Sequence, residues 1–471
     1  MSQTDLRAHF DALAPERARW RRRARGYHAE LERFVRFLVP PEASVLEVGC
    51  GTGDLLATVA SPGKGVGVDF SLAMVRVARS RHPEHRFVVG DAGRLPLSGP
   101  FDYVVLSDLV GNLEDVQSGL TELHHVVARR SRIIISYYNY LWEPLLRAAE
   151  RLGLKMPQPV QHWLPRQDIE NILRLSGFDV VKTASLMLCP VALPLLAPLG
   201  NRILARLPGL QRLALMHVVI ARPAPRPLGR ERLSVSVVIP CRNERGNVAA
   251  AVERVPAMGR RTELIFVEGH STDGTAEAIE AAIRDHPERA ISLVTQTTRA
   301  GKGDAVREGF AHAKGDVLMI LDGDLTVRPE DLPRFFDALL AGHGELINGS
   351  RLVYQRQQQA MRFLNLLGNK VFSGLFSFLL DQRFRDTLCG TKVLLRSDYL
   401  RIAAHRDYFG DFDPFGDFDL LFGAARLNLK IAELPVRYLE RSYGSTNIRR
   451  FRHGWLLFRM CLVAMRRIKF V

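Results

Sequence analysis

Two carboxylates one residue apart, Asp322 and Asp324 in Ile320-Leu-Asp-Gly-Asp-Leu-Thr326, could share a divalent cation. Hard oxygen donors suit Mg²⁺ or Mn²⁺, and such an ion neutralises a diphosphate leaving group. The pair follows an apolar run, Val317 to Leu321, that reads as a buried strand. Both acids are therefore expected at a strand's carboxyl end, where open α/β sheets bind ligands. Taken alone, Asp-Gly-Asp is equally a turn. A second such run is Glu47-Val-Gly-Cys-Gly-Thr-Gly53, where Gly49, Gly51 and Gly53 let the backbone turn tightly and approach a ligand. Its spacing differs from the dinucleotide fingerprint, whose last gap is longer. Downstream, Gly65 to Asp69 ends in an acid suited to ribose hydroxyls, Phe87 to Asp91 ends in another, and Ser107 and Asp108 follow Phe101 to Leu106.

The elements that must position these groups come in two sets. At 471 residues the chain is expected to hold two or three domains. The clearest boundary is Arg222-Pro-Ala-Pro-Arg-Pro-Leu228, whose prolines favour an extended spacer. On each side the order is strand, glycine turn, helix, opened by Val45 to Val48 and by Val235 to Ile239. Alternating strands and helices predict a parallel sheet in each half. The expected organisation is two tandem α/β domains, residues 1–222 and 233–471, joined by a linker at 223–232. Five cysteines lie far apart without metal-ligand spacing, which implies reduced thiols in the cytoplasm. The amino terminus lacks a signal-peptide apolar core.

The first ordered set, from about Ser44 to Lys182, resembles the class I S-adenosylmethionine-dependent methyltransferases, with their Rossmann-like sheet. The resemblance implies that Glu47, Gly49, Gly51 and Gly53 hold the amino-acid part of S-adenosylmethionine, Asp69 the ribose and Asp91 the adenine. It places Ser107 and Asp108 at the methyl-donor end. The sulfonium is already activated, so alignment of the acceptor supplies much of the catalysis. His124, His125, Tyr137 and Tyr138 are base candidates, although a packed or solvent-facing role is the simpler expectation. After the fourth strand, Asp108-Leu-Val-Gly-Asn-Leu113 lacks the Asn-Pro-Pro motif of base amino-group methylases. The six arginines of Arg17 to Arg25 are expected to form a solvated helix face, the alternative being contact with anionic lipid or an acidic substrate.

The second half reads Val237-Val-Ile-Pro-Cys-Arg-Asn-Glu244, then Glu263 to Thr275, Arg299 to Ala305, the Asp-Gly-Asp strand, Gly349-Ser-Arg351, Leu388 to Lys392 and Phe415 to Asp419. In this order it resembles glycosyltransferase family 2, with its GT-A type nucleotide-diphosphosugar fold. It looks most similar to synthases that glycosylate polyprenyl or dolichyl phosphates. The resemblance implies that Pro240, Asn243, Glu244, Glu268, Lys302 and Asp322 border a nucleotide-sugar. Asp322 and Asp324 would hold Mg²⁺ or Mn²⁺, and Arg351 would face phosphates. Arg362, Arg449, Arg450 and Arg452 would meet an acceptor phosphate. A lipid phosphate needs no general base, being already anionic; Asp417 and Asp419 are the base candidates for a hydroxyl acceptor, and equally fit a helix-cap or structural role. Two departures stand out. Glu268-Gly-His-Ser271 replaces the usual Asp-Asp-Gly-Ser, and Thr326 stands where mannose-type synthases often carry glutamine.

Lys and Arg number 65 against 50 Asp and Glu, a net +15. From Arg441 to Val471 there are eight Lys or Arg and no acid, interleaved with Trp455, Leu456, Leu457, Phe458 and Met460. That is the composition of an interfacial helix, and Phe363 to Leu380 repeats it; the alternative for both is a plain core helix. Neither holds an uninterrupted apolar run of the roughly 20 residues that a span requires. Leu186 to Leu199 is apolar but broken by prolines 190, 194 and 198, and is expected to lie on a membrane or cover the first pocket. The leading expectation is a bifunctional, peripherally membrane-associated cytoplasmic enzyme. It would transfer sugar to a polyprenyl phosphate, or a related membrane lipid, and methyl to a second acceptor. The alternatives are an RNA methyltransferase with a repurposed second half, or a non-catalytic membrane recruiter. Basic residues clustered with large apolar ones point to an anionic membrane rather than nucleic acid.

Overall fold

The computed structural model describes residues 3–159, 161–191, 196–297, 301–351, 363–408, 417–441, 443 and 450–470. It divides into two compact units, Met1–Ala224 and Pro225–Lys469.

Among the described residues the first unit builds a sheet of seven strands. They are β1 (Val45–Val48), β2 (Gly65–Asp69), β3 (Arg86–Val89), β4 (Phe101–Ser107), β5 (Val127–Tyr138), β6 (Phe178–Leu186) and β7 (Met216–Pro223), in the order β3-β2-β1-β4-β5-β7-β6. All four residues of β1 are buried, as expected of a strand covered on both faces. It pairs in parallel with β2 and β4 (Val45 opposite Gly65 and Tyr103), so strand order reverses beside it and a crevice opens at its carboxyl end. The sheet is not wholly parallel. β7 runs antiparallel between β5 and β6. It also carries the start of the proline-rich stretch: Arg222 and Pro223 still pair with Asp179 and Phe178 of β6. Proline is tolerated there because the β5 ladder has already ended at Ala221.

The second unit repeats the scheme with β8 (Ser234–Cys241), β9 (Arg261–Glu268), β10 (Ala290–Thr295), β11 (Val317–Ile320), β12 (Leu346–Ser350), β13 (Lys392–Leu395) and β14 (Ile431–Pro435), in the order β10-β9-β8-β11-β13-β12-β14. Strands β8 to β11 are parallel; β13 is antiparallel to both β11 and β12. The order reverses between β8 and β11, where the Asp-Gly-Asp turn emerges. The helix Leu332–Leu340 buries Leu332, Phe335, Phe336 and Leu339 in the core of this unit.

Both apolar helices of the second unit use one face for packing. In the helix Phe363–Leu380, Asn369, Ser373, Phe376 and Leu380 are buried, and the Phe376 ring lies 4.8 Å from Phe418 and 5.1 Å from Phe422. In the helix Arg450–Ala464, Leu457, Met460, Cys461 and Ala464 are buried while Trp455, Phe458 and Leu462 are exposed. No helix among the described residues is long and apolar enough to cross a membrane.

The helix Lys302–His312 lies on β8 and β9 through Gly309, where a Cβ would come within 2.3 Å of Val238. A Gly309→Val substitution overpacks that contact. It is expected to lower the second unit's stability by about 1–3 kcal/mol, read by urea denaturation, with unfolding of the first unit unchanged.

Candidate functional sites

In the first unit the groups converge on a cavity of about 670 Å³ at the carboxyl ends of β1, β2 and β4. Gly49, Gly51 and Gly53 have φ of +75°, +52° and +75°, the left-handed region that favours glycine. A Cβ at Gly53 would also strike the Phe87 ring at 2.6 Å. This turn is pinned from the next strand. One Asp69 oxygen accepts the Gly51 N–H (2.8 Å) and the other the Ser71 N–H (2.9 Å). Glu47 accepts the Leu56 N–H at 3.0 Å, and burial pushes its carboxyl up to about 8. Asp91 accepts the Gly93 N–H at 2.7 Å, and Ser107 and Asp108 line the same cavity.

Asp108, at φ +53°, accepts the Tyr27 hydroxyl at 2.6 Å. Burial raises the Asp108 carboxyl, and it raises the phenols of Tyr27 and Tyr138 beside it. His28, also lining the cavity, is pushed down to about 3 by burial and by Arg21 and Arg17, so it stays neutral at physiological pH. The amino-terminal helices Arg17–Arg23 and Arg25–Leu38 thus supply the cavity's cover, which the sequence reading missed. The arginine run is not simply a solvated face. Arg17 and Arg21 line the cavity, with Arg17 reaching the Met156 sulfur (3.1 Å) and Arg21 paired with Glu32. Tyr27, Leu31, Phe34, Val35 and Leu38 recur at helical spacing, a signal that this helix packs on the domain. Of the base candidates, Tyr138 lines the cavity. His124 stacks on Phe178 at 4.4 Å and bonds the Ser176 carbonyl, a packing role.

In the second unit, the loops after β8, β9 and β11 meet. Asn243, at φ +56°, receives the Thr272 N–H on its side-chain oxygen (2.9 Å) while its own N–H donates to Ser271 (2.9 Å). The Glu244 N–H donates to Thr275, and Asn247 donates to the Glu244 carboxylate at 2.7 Å. Glu268, buried at the end of β9, accepts the Ser271 N–H, so the altered Glu-Gly-His-Ser run still closes its own turn. The Pro240 carbonyl would lie 2.8 Å from a Cβ on Gly323, a close approach between the turn and β8.

Asp322 lies 2.6 Å from the Lys302 ammonium. Burial opposes its charge, but Lys302, with help from Lys392 and Arg351, outweighs burial and holds the carboxyl below the ordinary range. Gly390 presses on this pair: a Cβ there would sit 2.3 Å from both Asp322 and Lys302. Asp324 accepts the Thr326 hydroxyl (2.8 Å) and Arg441 (2.7 Å); Arg441 also reaches Glu244 at 3.4 Å. Tyr443, two residues on, donates to Asp273. Arg441 and Tyr443 were not singled out from the sequence; only the acid-free tail marked their neighbourhood.

Two carboxylates, one held ionised, suit a hard divalent cation. No cluster of three His, Cys, Asp or Glu side chains forms a metal site among the described residues. Mg²⁺ keeps waters and substrate phosphates as ligands, so two protein carboxylates are compatible with it.

Other expected residues are placed differently. Arg351, at the end of β12, is locked to buried Asp386 by bonds of 2.7 and 2.9 Å and lies over the Tyr438 ring, rather than standing open to phosphates. Asp386 also accepts the Arg351 and Leu388 N–H groups and the Asn369 amide. Asp419 pairs with Arg406 at 2.8 Å. Arg362 and Arg449 lie outside the described residues, as do the side chains of Asp417, Arg450 and Arg452.

Residues 236–400 match the sequence model of glycosyl transferase family 2, and residues 19–183 match that of a methyltransferase domain. Glycosyltransferase AglJ of Haloferax volcanii is 31% identical over 227 residues, 48% of this chain and 70% of that protein. An undecaprenyl-phosphate 4-deoxy-4-formamido-L-arabinose transferase of Edwardsiella ictaluri is 28% identical over 216 residues, 45% of this chain and 62% of the relative. Dolichol-phosphate mannosyltransferase of Saccharomyces cerevisiae is 34% identical over 112 residues, 23% of this chain and 41% of the relative.

Asp386 carries a testable electrostatic load. Burial would raise its carboxyl, but Arg351 and its other donors hold it at about 2. A carboxyl depressed on folding stabilises above its unfolded value and loses that contribution as pH falls through the folded one. The wild type is therefore expected to lose about 2 kcal/mol between roughly pH 4 and pH 2. Asp386→Asn should start less stable and lack that component, measured by urea denaturation across the range.

Proposed function

Because the chain belongs to glycosyl transferase family 2 and carries a methyltransferase domain as well, we propose that it transfers sugar from a nucleotide-sugar to a polyprenyl phosphate and methyl from S-adenosylmethionine to a second acceptor. The observation that carries the first half is the set of charges at the ends of β8 and β11: Asp322 on Lys302, Asp324 and Glu244 on Arg441. The lipid-phosphate acceptor is supported by relatives whose names specify undecaprenyl phosphate and dolichol phosphate.

Asp322 and Asp324 would hold the divalent cation, which when bound neutralises the diphosphate leaving group. The Asn243 and Glu268 turns would frame the nucleotide. Lys302 and Arg441 already face carboxylates; with an anionic donor present they are placed to offset its charge as well. Attack by a lipid-phosphate oxygen inverts the anomeric carbon and requires no base, consistent with Asp419 being tied to Arg406.

Approach to a lipid acceptor is supported by the helix Arg450–Ala464. Its outer face carries Trp455 (64% exposed), Phe458 and Leu462, with Arg459 and Arg466 exposed alongside. Large apolar side chains flanked by arginines suit an anionic bilayer surface.

In the first unit the glycine turn would hold the amino-acid end of the cofactor and Asp69 its ribose. S-adenosylmethionine, when bound, supplies an activated methyl group. Asp108, Tyr27 and Tyr138 would position the acceptor.

Purified protein given Mg²⁺ or Mn²⁺, labelled UDP- or GDP-sugars and short polyprenyl phosphates is expected to move label into the organic phase. Asp324→Ala should reduce transfer about a hundredfold or more and chelation should abolish it; metal-independent transfer, or full activity in the variant, would refute the reading. For the first unit, Asp69→Ala is expected to weaken S-adenosylmethionine binding by about 10- to 100-fold, read by titration calorimetry, while sugar transfer persists.

A further inference from the structure

We infer that the first unit has its own lipid-docking face, at the mouth of the methyltransferase cavity, and that its methyl acceptor is borne on a membrane lipid. The inference rests on the methyltransferase reading of that unit and goes beyond it by naming the class of acceptor.

Two residues connect cavity and surface. Leu154 and Val191 both line the cavity, yet they are 68% and 60% exposed. The segment that leads to Leu154 exposes further leucines. The helix Glu143–Arg151 turns Leu146 into the cavity but Leu145 outward (62% exposed), and Leu152 follows at 73%. Leu141 and Leu213 are exposed as well, and their segments are tied together. The Trp142 indole donates to the Leu213 carbonyl (2.9 Å), and Asn139 donates to the Ala214 carbonyl (2.8 Å). A soluble surface rarely groups so many large aliphatic side chains without a partner.

Charge selects the partner. From Val180 to Arg230 the chain contains no Asp or Glu, while Arg202 and Arg212 stand exposed. On the helix side the acids are matched: Glu143 pairs with Arg147 at 2.6 Å and Glu150 with Lys155. Exposed leucines with a basic surround match an anionic bilayer, which takes the leucines into its interface and attracts the arginines. A lipid-borne acceptor presented there needs only to enter past Leu154 and Val191 to reach Asp108 and Tyr138.

The test uses the full chain carrying Trp455→Glu and Phe458→Glu, which removes the outer aromatics of the second unit's helix. Flotation is measured with vesicles of phosphatidylglycerol and phosphatidylcholine in equal parts, and of phosphatidylcholine alone. Residual binding to the anionic vesicles, weakened by salt, is expected. Adding Leu145→Glu and Leu152→Glu, or Leu213→Glu alone, should reduce it about tenfold or more, with S-adenosylmethionine binding intact as evidence that the unit is folded. Unchanged flotation in both variants, or no residual binding at all, would overturn the proposal. So would self-association of the wild type in sedimentation that the leucine variants abolish, because the face would then receive a second copy. Failure of the wild type to bind S-adenosylmethionine would instead remove the methyltransferase reading on which the proposal stands.

Discussion

Acidic side chains crowded at the ends of β8, β9 and β11 set the terms for the second unit. Glu244, Glu268, Asp273, Asp322 and Asp324 all belong to that group of loops; burial, with Asp324 and Asp273 nearby, raises the Glu244 carboxyl, and burial opposes the charge on Asp322. Cations brought from distant parts of the chain relieve it. Lys302 comes from the start of the next helix, and Arg441 from beyond the last strand. The surrounding turns can then be spent on geometry: Thr326 steers Asp324, Asn247 steers Glu244, and the Asn243 and Ser271 loops hold each other. Without Lys302, burial alone would favour the protonated form of Asp322.

The first unit meets a related problem with backbone instead of charge. Asp69 and Glu47 receive N–H groups from the glycine turn and the helix after it, so their ionisation is coupled to the shape of that turn. Left-handed glycines permit the turn, and Phe87 fills the space a side chain would have taken. Both sheets place these groups where strand order reverses, the one position at which two neighbouring loops diverge and leave room for a ligand. What differs is the cover, which the first unit draws from its amino-terminal helices.

The parts legible in the sequence were those written within a few residues. Strand runs, the glycine turn and the Asp-Gly-Asp turn follow from local spacing; Asp69, Asp91 and Asp108 on one cavity follow from the resemblance that the order of motifs carries. Contacts across long separations were not legible. Arg441 meets Asp324 across 117 positions, and nothing near either residue signals the other. Arg351 sits in a motif that suggests phosphate contact, yet it belongs to Asp386, because burying a carboxylate demands a cation and this one is adjacent in space. Antiparallel β7 and β13 were hidden for a similar reason: a buried apolar run looks the same whichever way it points. The arginines near Trp20 read as solvated on composition alone; only the fold turns Arg17 and Arg21 toward the cavity.

Gly390 bears on how sequence variation in this protein would be scored. Its backbone carries no positive-φ requirement, and the atoms a new Cβ would meet are the tips of the Asp322 and Lys302 side chains, which can swing aside. Such a change disturbs the charge pair while sparing the core, so the chain would remain abundant in a cell. Variant effects ranked by expression level or solubility would pass over this position, whereas on the proposed function a readout of sugar transfer would register it.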